Sequence, residues 1–137
     1  EPPRKAHKKR RCLVPASGWY EWQKVTPKTK RPFHFQPKAK PFAFAGVYDV
    51  WKADGKSAIT SFAIVTTSAA PSTVQYHDRM PVVLEEGQFE DWMRGPPELA
   101  AEMMKPYGGA IDIWEVGKDV GNVRNNKPQL LDPVALI

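Results

Sequence analysis

The hydrophobic pattern of the chain changes period along its length, and each period predicts a different kind of element. Up to Gln36 the apolar residues come in short groups: Leu13-Val14, then Trp19, Tyr20 and Trp22 within Gly18 to Lys24, then Phe33 and Phe35, which alternate with polar residues within Pro32 to Gln36. Alternation at period two marks half-buried strands. Three short strands are therefore predicted, separated by a Pro/Ser/Gly turn before Gly18 and by a basic, proline-containing loop over Thr26 to Arg31. Pro37 to Pro41 reads as a connector. Phe42 to Trp51, rich in aromatic and small residues and punctuated by Gly46, predicts a buried strand with a bulge or close backbone approach at the glycine. Asp54-Gly55 is a hairpin signal, and Ser57 to Thr67 after it is a largely apolar run ending in hydroxyls, which predicts a central strand.

Ala69 to Tyr76 predicts a short turn or helix, and Met80 to Leu84 a further apolar strand. The period then becomes helical. Phe89, Trp92 and Met93 fall on one side of Glu85 to Met93, and Pro97 to Met104 opens with Pro and Glu in its first turn and ends before Pro106. Gly108-Gly109 separates these helices from an alternating strand over Ile111 to Val116, after which no clear period remains. Residues 1–11 carry Pro2, Pro3 and six basic residues without apolar periodicity, as an irregular lead-in would. Strands followed by helices predict an α+β fold, β-rich, with mostly antiparallel coiled sheets and short peripheral helices. A length of 137 residues suits one domain, residues 1–137.

Composition narrows the function classes. With 42% hydrophobic and 26% charged residues, the chain has no apolar run of about 18 residues and no leader pattern, so a cytoplasmic protein without a membrane partner is expected. One cysteine cannot form an internal disulfide, and three histidines supply no Cys/His ligand cluster, so no metal and no cofactor are expected. The net charge is +5, with the excess of Lys and Arg concentrated before residue 41. Such asymmetry points to a polyanion, nucleic acid above all, although a solvated basic face has the same signature.

Two places carry candidate chemistry. In Gly18-Trp19-Tyr20-Glu21-Trp22, aromatic neighbours on both sides would partly desolvate Glu21 and raise its carboxyl above roughly 4.3, which suits proton transfer; the other reading points Glu21 outward to solvent on a strand. In Tyr76-His77-Asp78-Arg79-Met80-Pro81, a histidine beside Asp and Arg can be tuned across neutral pH as a general acid or base, or can simply bond the backbone at a loop end. Arg79 suits bidentate phosphate recognition or an ordinary ion pair, and Thr66-Thr67-Ser68 ends its strand in hydroxyls that contact a ligand or cap a turn. Trp19 and Trp22 flank Glu21 as candidates for stacking on bases, whereas Trp92 and Trp114 read as core. Arg11, from the basic lead-in, counts among the candidate DNA contacts. Cys12 reads as a buried small hydrophobe and His34 as a strand residue. Asn122, Asn125 and Asn126 near Arg124 satisfy a loop backbone or line a site.

Taken together and in order, four segments resemble the SOS-response-associated peptidase (SRAP) family, the abasic-site processing proteins. They are Arg10 to Trp22, Phe62 to Thr67, His77 to Leu84, and Asn122-Val123-Arg124-Asn125-Asn126. The resemblance implies an SRAP-like fold and a monomeric protein that covalently traps abasic sites in single-stranded DNA. In that family an N-terminal cysteine, exposed by self-processing, attacks the ring-opened sugar aldehyde through its amine and thiol, giving a Schiff base that closes to a thiazolidine. The family's catalytic glutamate falls on Glu21 and its catalytic histidine on His77, while Thr66 and Arg79 look like its DNA-contacting hydroxyl and phosphate-facing arginine. The family's nucleophile follows the initiator Met in a Met-Cys-Gly-Arg start, and an active-site Asn lies beyond it. This chain begins at Glu1 with neither, so the N-terminal part of the domain is expected to be missing from it, and the chain as written is not expected to crosslink DNA. Cys12 matches an internal cysteine without a free α-amine beside its thiol. The competing reading is a non-catalytic, basic, single-stranded nucleic-acid-binding module.

Overall fold

One strand organises most of the chain. In the computed structural model, which describes residues 6–135, β4 (Phe42–Trp51) is flanked along one edge by β1 (Arg11–Pro15), with Cys12 opposite Gly46 and Val14 opposite Phe44. Along its other edge run β8 (Val83–Glu85), opposite Phe42 to Phe44, and β5 (Ile59–Ile64), opposite Gly46 to Trp51. Between those two partners the backbone of Ala45 bonds to Val82 O (2.9 Å) and from Val65 N (2.8 Å). A second sheet has the order β2-β3-β9, from β2 (Trp19–Thr26), β3 (Thr29–Pro37) and β9 (Ile111–Glu115), and β6 (Thr66–Ser68) pairs with β7 (Arg79–Pro81). Every strand pair is antiparallel. The helices are short: α1 (Ala6–Lys9), α2 (Phe89–Arg94) and α3 (Pro97–Met103).

Side-chain alternation on β4 divides the interior in two. Ala45 and Val47 join Val65, Val82, Leu84, Trp92, Ala100 and Met103 under α2 and α3, while Phe42 and Phe44 join Ala70, Met80 and Val83 in a second cluster against which Trp19 packs. Trp92 is fully buried, and its indole N–H donates to Cys12 O (2.9 Å) and Gly46 O (3.3 Å), tying α2 to β1 and β4. Gly46 makes the close approach its sequence suggested, because a Cβ there would lie 2.8 Å from Cys12 Sγ. The register of β4 runs through it without a bulge.

The structure departs from the sequence pattern in four places. The lead-in contains a helical turn, α1. The Thr26 to Arg31 loop contracts to a two-residue turn, since the Thr26 hydroxyl accepts the Lys28 and Thr29 N–H groups (3.3 and 3.1 Å) and lets β3 start at once. The apolar run over Ser57 to Thr67 is not one central strand: it breaks at buried Val65, β6 leaves for another sheet, and β5 is an exposed edge. Apolar content alone cannot report which strand of a sheet a run becomes. Met93 turns outward, leaving Trp92 as the buried residue of α2. Phe62, 64% exposed on β5, therefore contributes little to stability. We expect Phe62→Ser to shift the urea-unfolding free energy of the chain by no more than about 0.5 kcal/mol.

Candidate functional site

The β2–β3 hairpin and the segment before β7 enclose an open cleft of about 520 Å³, lined by Glu21 to Lys24, Lys30 and Val74 to Asp78. Alternation on β2 sends Glu21 and Gln23 to one face, and register pairs Glu21 with Phe33. The far wall folds back on itself: the Thr73 N–H and hydroxyl both reach Ala70 O (2.9 and 3.3 Å), and His77 N–H reaches Thr73 O (3.2 Å). It is then docked onto the sheet. Tyr76 packs on Phe33 (ring centroids 4.7 Å apart) and Phe35 (5.4 Å), and Gln23 Nε2 donates to Gln75 O (2.9 Å). This docking brings Glu21 and His77 into one cleft although they lie far apart in the chain.

The electrostatics of the two groups differ. Burial pushes the half-buried Glu21 carboxyl above its ordinary value; facing His77 and the nearby Trp19 indole pull it partly back, and Asp78 pushes it up again. His77 is exposed at the rim, where its Nδ1 accepts the Arg79 N–H (3.1 Å) and lies 3.3 Å from Asp78 Oδ1. The same Nδ1 lies 3.2 Å from Arg79 O, so this nitrogen finds a backbone partner at Arg79 in either tautomer of the ring. A carboxyl that burial shifts upward, beside an imidazole, can pass a proton to and from a reacting group. Among the described residues no group of three His, Cys, Asp or Glu could hold a metal, and no helix is long and apolar enough to cross a membrane.

Of the other residues singled out in the sequence, Trp22 lines the cleft. Thr66 and Arg79 meet each other on the β6–β7 pair, the guanidinium donating to Thr66 O (2.9 Å) and Oγ1 (3.0 Å), with both residues exposed beside His77. Arg11 does not reach the cleft. Its guanidinium is buried, donates to Trp92 O and Gly95 O at the end of α2 and lies over the Trp92 ring, which corrects the expectation of a DNA contact there. Trp19 is likewise unavailable for stacking on a base, because its ring already stacks on Phe35 (5.3 Å) and meets Phe44 edge-on (5.7 Å). The Trp19 N–H is buried near Glu21 without a hydrogen-bond partner among the described residues. Cys12 is half-buried, and burial pushes its thiol up, as suits an unreactive packing residue. Trp114 is half-buried rather than core, with its N–H on Leu131 O (2.7 Å).

Sequence reasoning passed over Lys24 and Lys30. They stand directly opposite one another in the hairpin register at the mouth of the cleft, where facing like charges are unfavourable until an anion neutralises them. Their placement on either side of the Pro27-Lys28 turn is the signal that could have found them.

Fold and cleft together define a β-rich protein with a carboxylate, an imidazole and paired lysines around one open site. The family model described as SOS response associated peptidase (SRAP) matches residues 3–123, and the chain belongs to that family. Relatives include the abasic site processing proteins YoqW of Bacillus subtilis, 31% identical over 128 residues, and YedK of Escherichia coli, 32% identical over 130; each match covers 90% of this chain. The chain spans 57% and 58% of those two relatives. A solved structure of a Bacteroides thetaiotaomicron protein superposes with a TM-score of 0.85 at 27% identity, covering 98% of this chain and 62% of the other.

Proposed function

We propose that this chain carries the proton-handling part of an abasic-site processing domain acting on single-stranded DNA. The observation that carries the reading is the convergence of Glu21 and His77 on one cleft whose mouth bears Lys24 and Lys30; the names of its relatives point the same way. The chemistry follows from the sugar aldehyde of an open abasic site. The amine of an N-terminal cysteine adds to the carbonyl carbon, water leaves as the imine forms, and the thiol sulfur then adds to the imine carbon to close a thiazolidine. Each step needs a proton taken from nitrogen or sulfur and one delivered to the departing oxygen or the ring nitrogen. Glu21 handles the amine proton, during self-processing as well as crosslinking, and His77 serves the sugar oxygen or the imine. Thr66 and Arg79 contact the DNA backbone beside His77, and Trp22 lies against the bases.

The test is a protein carrying these 137 residues behind a processed N-terminal cysteine, incubated with single-stranded oligonucleotides and resolved on a denaturing gel. A covalent adduct is expected with abasic DNA and not with intact DNA, and His77→Ala should slow its appearance. Salt-sensitive, reversible binding that ignores abasic sites would instead establish a plain nucleic-acid-binding module. Replacing both Lys24 and Lys30 by Ala is expected to lower the slope of log affinity against log salt by about 1.4, the release expected for two single-strand phosphate contacts.

A further inference from the structure

A second groove lies on the opposite face of β2, and nothing in the reaction above uses it. Alternation carries Tyr20 to the side of the sheet away from Glu21, where it meets its cross-strand partner His34 edge-on (5.2 Å). Facing them is the segment after β9, so that the space between, about 510 Å³, is walled by Tyr20 and His34 on one side and by Asn122, Asn125, Asn126 and Lys127 on the other. Two of the amides hold that segment in shape: Asn122 Oδ1 accepts the Arg124 N–H (3.0 Å) and Asn125 Nδ2 donates to Asp119 O (2.8 Å). The side chains of Asn126 and Lys127 have no hydrogen-bond or ion-pair partner among the described residues. His34 is 3% exposed with its Nδ1 unpartnered, and burial pushes it toward the neutral ring. No carboxylate lines the groove among the described residues.

The two sites meet at Trp22. This residue belongs to β2, the outer strand of its sheet among the described residues. Its indole lines the Glu21 cleft and also packs on Gly121, where an added Cβ would come within 3.0 Å of the ring. A flexible chain leaving the cleft can therefore turn over Trp22 into the groove behind.

We propose that this groove is a second nucleotide subsite, which holds a base and phosphate of the same single strand a short distance from the one in the Glu21 cleft. Tyr20 offers a ring for stacking, the Asn126 amide a donor and an acceptor for a base edge, and Lys127 a charge for phosphate. The inference rests on the reading of the chain as a single-stranded DNA binder.

Fluorescence anisotropy of the 137-residue chain with labelled oligothymidylates of four and twelve nucleotides tests it. Asn126→Ala, on an exposed side chain that holds nothing in the fold, and Tyr20→Leu, which keeps bulk against His34, should each weaken the twelve-mer about fivefold or more. Neither should change the four-mer, which fills the cleft alone. A twelve-mer carrying 5-iododeoxyuridine should photo-crosslink to the Tyr20 peptide. Unchanged twelve-mer affinity in both variants, or an equal loss for both lengths, overturns the subsite while leaving the main reading intact. No affinity of the parent chain for either oligonucleotide overturns both.

Discussion

Glu21→Gln should lower the rate of crosslink formation by about 10²–10⁴-fold, the usual contribution of a positioned proton-transfer group. The same variant should be more stable than its parent at neutral pH. Glutamine keeps the shape, but it cannot move a proton. The stability gain follows from the direction of the carboxyl shift, which burial sends upward. In the unfolded chain Glu21 ionises at its ordinary value, whereas the folded chain holds the proton to higher pH. Folding therefore binds a proton in the interval between the two values, and stability falls as pH rises through it. Above the folded value the full cost of burying the charge is present, and below the ordinary value it is gone. Thermal midpoints of the two proteins should thus diverge above the folded value and converge in acid, and a difference that stays constant with pH would sink the account.

Trp92→Ala is expected to destabilise the chain by about 3–5 kcal/mol, a large share of what a domain of this size possesses. The indole is fully buried at the centre of the cluster under α2 and α3, so its removal leaves a cavity. It also strips the side-chain donor to Cys12 O and Gly46 O, at the place where β1, β4 and α2 meet. Urea unfolding followed by circular dichroism reads the loss directly. Arg11→Met should act in the same direction but less strongly, about 1–3 kcal/mol, because the α2-end carbonyls of Trp92 and Gly95 lose their donors. It should leave the salt dependence of DNA binding unaltered, in contrast to Lys24 and Lys30.

That contrast shows how far the candidate site was legible. Arg11 and Lys24 are both basic residues in a basic stretch, and composition cannot tell a buried strut from a cleft lining. Trp19 and Trp22 flank Glu21 alike in the sequence, yet one is locked between Phe35 and Phe44 and the other lines the cleft. Glu21 and His77 were singled out from local chemistry with a competing reading beside each, and the four ordered segments raised them together as the family's pair.

By itself the sequence determined the elements whose signal is local. The aromatic cluster of Trp19 to Trp22, the alternation of Phe33 to Phe35, the turn glycines, and the proline-opened α3 depend on neighbours within a few residues, and so they survive into the structure. Family membership was legible for the same reason, since it resides in short ordered motifs. Only the tertiary structure decided which strands become edges, which cations are buried, and that Glu21 and His77 share a cleft. Those outcomes depend on register and on docking between distant segments: Gln23 to Gln75, Tyr76 to Phe33, and Val65 at the break between β5 and β6. A period along one segment records which residues share a face, and it carries no information about what the rest of the chain lays against that face.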